Sequence, residues 1–285
     1  MELKTIGVLG AGTMGRGIAH VSALAGCEVR LFDVSGETLA RALSAIQTNL
    51  DKGVARGKVE AKDAEAAVRR ITGVDSIAAA STHADLVVEA VPEKLELKQA
   101  LFAEVESHAP AAAVLGTNTS SLSVAKIASA VADPGRVLGL HFFNPVHIMK
   151  LLEIIVHDGT RPEVLDACRA YGAAIGKQCI TVNDFPGFAT SRLGVCLGME
   201  AIRMVEQGVA SPEDIDTAMV LGYRHPIGPL KLTDLVGLDV RMHIGEYLAE
   251  ELGNAAFRPP DLMREMVANG KLGKKSGQGF YDWSE

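Results

Sequence analysis

Thr5-Ile6-Gly7-Val8-Leu9-Gly10-Ala11-Gly12-Thr13-Met14-Gly15 runs from a buried-strand pattern through a glycine turn into a helix start. Each of its last three glycines has its own task. Gly10 permits a tight turn out of the strand, Gly12 lets the backbone approach a pyrophosphate, and Gly15 lets the new helix pack close to the sheet. The amides at the start of that helix, where Thr13 and Met14 stand, then face the phosphates. The helix continues through Ile18, Ala19, Val21, Ser22 and Leu24 to Gly26, and a second apolar strand, Val29-Arg30-Leu31-Phe32, ends at Asp33. Asp33 follows Gly15 by about 20 residues, the distance at which a carboxylate accepts hydrogen bonds from the adenine ribose. The same carboxylate would repel a ribose phosphate, and no arginine follows it closely, so the motif predicts NAD rather than NADP.

The chain has 285 residues, 48% of them hydrophobic, enough for two domains with cores of their own. A formal charge of −7 argues against nucleic acid or an anionic membrane as the main partner. The four cysteines, Cys27, Cys168, Cys179 and Cys196, form no C-x-x-C pair and stand in apolar surroundings. They read as reduced thiols and make the cytoplasm the expected compartment. The first residues carry Glu2 and no basic segment leading into a long apolar run, so no targeting peptide is expected. No uninterrupted apolar run reaches membrane-spanning length.

Short apolar runs recur at Thr5–Leu9, Val29–Phe32, Leu86–Val91, Val114–Gly116 and Val137–Phe142, separated mostly by alanine-rich stretches. Strands alternating with helices predict an α/β fold, a largely parallel, doubly wound Rossmann-like sheet. The polar, basic and alanine-rich stretch from Leu39 to Arg70 predicts a helical pair inserted beside that sheet. After Asp184-Phe185-Pro186-Gly187-Phe188 the spacing becomes helical, which divides the chain into residues 1–184 and an all-helical domain at 185–285. Ser211-Pro212-Glu213-Asp214 reads as a helix start, with Ser as cap, Pro in the first turn and acids at the positive helix end.

Val137-Leu138-Gly139-Leu140-His141-Phe142-Phe143-Asn144-Pro145 is followed by Lys150-Leu151-Leu152-Glu153-Ile154-Ile155-Val156. A carboxylate within that second apolar run needs a partner, because burying it alone would cost several kcal/mol. In a hairpin folded about His147, His141 and Glu153 are equidistant from the centre and fall opposite each other. Such a pair is a general base suited to alcohol oxidation: the carboxylate fixes the imidazole tautomer while the other ring nitrogen takes the hydroxyl proton. A core histidine bonded to a carbonyl, with Glu153 facing water at an edge, is the structural alternative. His141, His147 and His157 lack the close pairing of a zinc site, so no metal is expected. Thr117-Asn118-Thr119-Ser120-Ser121 follows the Val114–Gly116 run at the carboxyl edge where doubly wound sheets bind ligands. Its hydroxyls can hold a substrate oxygen or cap the next helix.

Taken together, the motifs closely resemble the L-3-hydroxyacyl-CoA dehydrogenases over the whole chain. The marks are Gly-Ala-Gly-Thr-Met-Gly at 10–15, Asn-Thr-Ser-Ser at 118–121, His-Phe-Phe-Asn-Pro at 141–145, Asp-Phe-Pro-Gly-Phe at 184–188 and Gly-Lys-Lys-Ser-Gly-Gln-Gly-Phe-Tyr at 273–281. The resemblance implies reversible NAD-dependent oxidation of an (S)-3-hydroxyacyl-CoA thioester, with His141 and Glu153 as the catalytic pair. It implies that Ser120 holds the substrate's 3-oxygen, that Glu93, Lys98, Asn144 and Lys275 contact NAD, and that Lys52 and Arg56 meet the coenzyme A phosphates. It further implies a homodimer formed through the second domain. Where relatives often carry asparagine after Pro-Gly-Phe, this chain has Ser191, which orients substrate with a shorter reach and predicts an altered acyl-chain preference. A free hydroxy acid as substrate, or a non-catalytic NAD-binding role like that of lens crystallins, are the competing readings.

Overall fold

The protein is described by a computed structural model, covering residues 2–284. The chain divides into two compact units, Met1–Asp184 and Phe185–Glu285.

The first unit is built on an eight-stranded sheet of β1 (Thr5–Leu9), β2 (Glu28–Phe32), β3 (Ile71–Val74), β4 (Leu86–Glu89), β5 (Val114–Thr117), β6 (Val137–Phe142), β7 (Leu151–Val156) and β8 (Gln178–Asn183). Its spatial order is β3-β2-β1-β4-β5-β6-β7-β8. The neighbouring strands pair in parallel except β6 and β7, which run antiparallel. The winding reverses between β1 and β4, and the carboxyl ends flanking that switch point are where such sheets hold ligands. Among the described residues, the strands are accompanied by the helices α1 (Thr13–Leu24), α2 (Gly36–Ala55), α3 (Ala61–Arg69), α4 (Ile77–Ser81), α5 (Leu95–His108), α6 (Val124–Ala128) and α7 (Pro162–Ala174).

Central strands have both faces covered, so β1, β4 and β5 read as continuous apolar runs; Ile6, Val8, Leu86, Val88 and Val114 are wholly buried. The outer strands β3 and β8 escaped the sequence reading for the opposite reason. At the sheet edges only half of each strand is covered, and Ile71-Thr72-Gly73-Val74 and Gln178-Cys179-Ile180-Thr181-Val182-Asn183 alternate with polar residues. Once β3 is recognised, the helical pair α2 and α3 becomes the connection from β2 to β3, with Ala42, Ile46 and Leu50 buried in the unit's core. The fourth strand stops at Glu89, two residues short of the apolar run that announced it.

The second unit holds α8 (Thr190–Glu206), α9 (Pro212–Gly222), α10 (Pro229–Val236), α11 (Leu238–Leu252) and α12 (Asp261–Ala268) around a core that includes Met199, Ile202, Leu230, Leu238 and Met263. Ser211 caps α9 by accepting from the amide of Asp214, with Pro212 in the first turn. The tail after α12 is held by buried carboxylates: Asp234 accepts from the amides of Phe280 and Tyr281 and from Trp283 Nε1, and Asp216 accepts from the Tyr281 hydroxyl at 2.8 Å. Among the described residues, no helix is long and apolar enough to cross a membrane.

Candidate active site and cofactor cradle

The glycine loop leaves β1 with Gly10 at φ +98°, a left-handed conformation that disfavours any side chain. A Cβ on Gly15 would lie 1.7 Å from the Gly10 carbonyl oxygen, so the helix can begin only because that position is bare. A Cβ on Gly12, in contrast, would meet no protein atom within 4 Å. Protein packing does not require glycine there, whereas a backbone that must touch a ligand does. Gly12 is the N-cap of α1 and supplies no side-chain cap, and the first turn carries no acid, so the leading amides keep their positive partial charge. Gly12 and Thr13 are exposed, and Met14 is half-buried beside them.

Asp33 closes this cradle at the end of β2. Its Oδ2 accepts from the amide of Ala11 at 2.7 Å, and its Oδ1 from that of Ser35 at 2.9 Å. Each carboxylate oxygen has a second lone pair, so acceptor capacity remains for ribose hydroxyls. The bare Gly12, the open helix terminus and the anchored Asp33 fit a pyrophosphate and an unphosphorylated ribose.

His141 on β6 and Glu153 on β7 are directly paired in the antiparallel register, together with Leu140 and Ile154 on one side and Phe142 and Leu152 on the other. Nδ1 of His141 lies 2.7 Å from Oε2 of Glu153, and both side chains are buried. Glu153 sits in the interior of the sheet because β8 covers the far side of β7. An edge glutamate facing water is thereby ruled out. Phe143 packs against the imidazole, with ring centroids 4.5 Å apart.

The loop after β5 carries Ser120, and its backbone is fastened by Glu93. Oε1 of Glu93 accepts from Thr119 Oγ1 at 2.5 Å, from the Ser120 amide at 2.9 Å and from the Ser121 amide at 3.2 Å. Burial by itself would push this carboxyl up, but the Lys98 ammonium and the bonds from Thr119 and Ser120 outweigh it and hold Glu93 below the usual carboxylate range. The hydroxyl that caps α6 is that of Ser123, accepting from the Lys126 amide. Asn118 ties the same loop to the histidine strand, its Oδ1 accepting from the amide of Phe142 at 3.0 Å.

Lys98 is wholly buried on α5, with Nζ 2.6 Å from Glu89 Oε1 and 3.3 Å from Glu93 Oε2. Glu89, at the end of β4, also accepts from the Val91 amide at 2.7 Å and from Thr117 Oγ1 at 2.6 Å. Removing one partner of such a pair strands a buried charge and costs about 3–5 kcal/mol. Sequence reasoning missed Glu89, although the signal that exposed Glu153 applied to it as well: a carboxylate in an apolar strand, Leu86-Val87-Val88-Glu89.

The remaining residues are dispersed. Asn144 is exposed in the loop between β6 and β7 and precedes a cis proline. Lys52 and Arg56 lie exposed at the carboxyl end of α2, one turn apart. Ser191 belongs to the second unit, half-buried in the first turn of α8. Lys275 also belongs to the second unit, where its ammonium pairs with Asp239 at 2.6 Å.

Comparison with known proteins places these features in context. The model of the 3-hydroxyacyl-CoA dehydrogenase NAD-binding domain matches residues 5–185, and that of the 3-hydroxyacyl-CoA dehydrogenase C-terminal domain matches residues 187–283. A Bacillus subtilis protein named as a probable 3-hydroxybutyryl-CoA dehydrogenase is 42% identical over 285 residues, covering 100% of this chain and 99% of its own. A 3-hydroxybutyryl-CoA dehydrogenase of Bradyrhizobium diazoefficiens is 39% identical, covering 99% of this chain and 96% of its own. The crystal structure of the (S)-3-hydroxybutyryl-CoA dehydrogenase from Ralstonia eutropha superimposes with a TM-score of 0.95 at 37% identity and covers 100% of both chains.

Proposed function

The chain belongs to the 3-hydroxyacyl-CoA dehydrogenase family and is an NAD-dependent dehydrogenase of that kind, and we propose that it interconverts (S)-3-hydroxybutyryl-CoA and acetoacetyl-CoA with His141 and Glu153 as its general base. The 2.7 Å contact between His141 Nδ1 and Glu153 Oε2 carries this reading. The names of the relatives support the four-carbon acyl group.

Bound NAD⁺ supplies the acceptor for the hydride leaving C3 of the substrate. Glu153 accepts a hydrogen bond from Nδ1–H of His141 and so leaves Nε2 to act as the base toward the substrate. Nε2 takes the proton of the 3-hydroxyl as the C3–H bond breaks, and the Glu153 carboxylate balances the imidazolium that results. In the reverse direction the same nitrogen returns the proton to the carbonyl oxygen. Ser120 holds that oxygen, its loop fixed by the bonds to Glu93. Asp33 binds the adenine ribose and the amides after Gly12 bind the pyrophosphate. Glu93, Lys98, Asn144 and Lys275 are assigned to the cofactor, Lys52 and Arg56 to the coenzyme A phosphates, and Ser191 to orienting substrate.

The exposed apolar side chains of the second unit, among them Leu193, Leu221 and Tyr223, support a homodimer formed through that unit. The cytoplasm is the compartment that suits its free thiols. Light scattering of the purified protein tests the dimer; a monomer would remove it.

The deciding experiment follows NADH absorbance with acetoacetyl-CoA, with free acetoacetate, and in the His141→Ala variant. Rapid loss of NADH with the thioester alone, abolished in the variant, is expected. Turnover of free acetoacetate without the thioester would overturn the substrate assignment, and an active variant would overturn the base.

A further inference from the structure

We propose that Lys177 is a positioning residue for the cofactor: it clamps the loop between β6 and β7 onto α1 and thereby sets Asn144 against NAD. The inference rests on Asn144 contacting the cofactor.

How the loop is held is the first ground. Residues 144–150 are exposed except for Val146, which is only 2% exposed. The turn starts at Pro145, whose carbonyl accepts from the amides of Ile148 and Met149, both at 2.9 Å. The carbonyls of Val146 and Met149 are taken by one side chain, the Lys177 ammonium, which donates to both, at 2.7 Å to Met149. Such bonds are charge-assisted, and an ammonium brings no acceptor to compete for the amides of the turn. Lys177 is itself anchored, because its amide bonds the Gly172 carbonyl of α7 at 2.8 Å and the next amide, that of Gln178, bonds the Lys150 carbonyl at 2.7 Å.

The second ground is where the clamped loop rests. A Cβ on Gly17 would lie 2.7 Å from Val146 Cβ, so the valine fills a notch in α1 that exists because residue 17 has no side chain. Further along the same helix, His20 stacks on His147, the ring centroids 5.3 Å and the planes 6° apart. The loop is thus registered on the helix whose N-cap is Gly12 and whose leading amides are assigned to the pyrophosphate. Asn144 stands immediately before Pro145, so its place relative to those amides is set by how firmly the turn is seated. His141 is held separately, by the register of β6 on β7. Loss of the clamp therefore displaces Asn144 before it displaces the base.

The Kd of NADH, read by its fluorescence, tests this in Lys177→Met, Asn144→Ala and the double variant, with kcat measured at saturating NADH and acetoacetyl-CoA. Lys177→Met is expected to raise the Kd by about fivefold, to keep kcat within about twofold, and to add less than about twofold in the Asn144→Ala background. A wild-type Kd in Lys177→Met, or a rise of equal size in the Asn144→Ala background, would overturn the proposal. A fall in kcat with unchanged Kd would place Lys177 with the base and overturn it as well. Wild-type NADH binding in Asn144→Ala would instead remove the Asn144 reading beneath it. Lys177→Arg keeps a charged donor and is expected to bring the Kd back within about twofold of wild type; a Kd as weak as that of Lys177→Met would make the lysine stem, not its bonds, the cause and overturn the clamp. Val146→Ala empties the Gly17 notch in a chain that keeps Lys177. Its expected effect is a rise of about threefold in Kd that vanishes in the Asn144→Ala background, and an unchanged Kd would count against the seat on α1.

Discussion

His141 Nδ1 and Glu153 Oε2 lie 2.7 Å apart across β6 and β7, the antiparallel pair of an otherwise parallel-paired sheet. An antiparallel turn places two residues far apart in sequence directly opposite each other on one face, which a βαβ crossover does not do. The reversal at β7 is thus what assembles the dyad. Glu153→Gln retains an acceptor for Nδ1–H but removes the charge that stabilises the imidazolium. A fall in kcat of about 10²–10⁴-fold, with thermal unfolding shifted by only a few degrees, is expected from steady-state kinetics and melting curves.

Gly12 and Gly15 stand in the same loop, yet their replacement has opposite signatures. A methyl group on Gly12 enters open space, while one on Gly15 strikes the Gly10 carbonyl. Gly12→Ala therefore folds normally and raises the NADH Kd by about tenfold or more, the methyl standing where a phosphate must approach. Gly15→Ala loses about 2 kcal/mol or more of stability in denaturant titrations. Equal melting temperatures for the two variants would contradict this assignment.

His20 on α1 is buried and stacks on His147, the ring centroids 5.3 Å apart. Lys177 donates to the carbonyls of Val146 and Met149 in the same loop. Burial first, then His147 and Lys177, push His20 from its ordinary 6.5 down to about 4. His147 is lowered as well, by burial and then Lys177. Because the folded value lies below the unfolded one, the unfolded chain binds more protons between pH 6.5 and about 4. Stability is therefore complete above that window and falls by about 3 kcal/mol as the pH descends through it. Chemical denaturation across pH 4–7 should show a shallower slope in His20→Phe; an identical slope would remove His20 as the cause.

Ser191 occupies the first turn of α8, and the family resemblance implies that its short hydroxyl stands where a longer amide would orient the substrate. Ser191→Asn is expected to change the ratio of kcat/KM between four-carbon and medium-chain 3-oxoacyl-CoA substrates by about threefold or more. Unchanged ratios would show that this position does not set chain preference.

Much of this site was legible before folding. The glycine loop and Asp33 follow from local steric demands, and the His141–Glu153 register follows from symmetry about His147 because side chains on paired strands alternate with a fixed period. The cap of α9 at Ser211 is equally local. The edge strands β3 and β8 were not legible, since half-covered strands carry no continuous apolar run.

What the sequence by itself determined is therefore the central strands and those sites whose parts lie close along the chain: the cradle, the hairpin dyad and the family to which they belong. Tertiary structure alone decided the fate of the charges. Glu89 and Lys98 lie on a strand and the helix that follows it, with nothing in their spacing to mark them as partners, and Glu89 is buried because β1 and β5 close on both sides of β4. Asp234 gathers Phe280, Tyr281 and Trp283 in the same way. Local periodicity encodes which face of an element is apolar, but the pairing of a buried charge depends on which distant elements surround it, and that is fixed only when the sheet and helices have assembled.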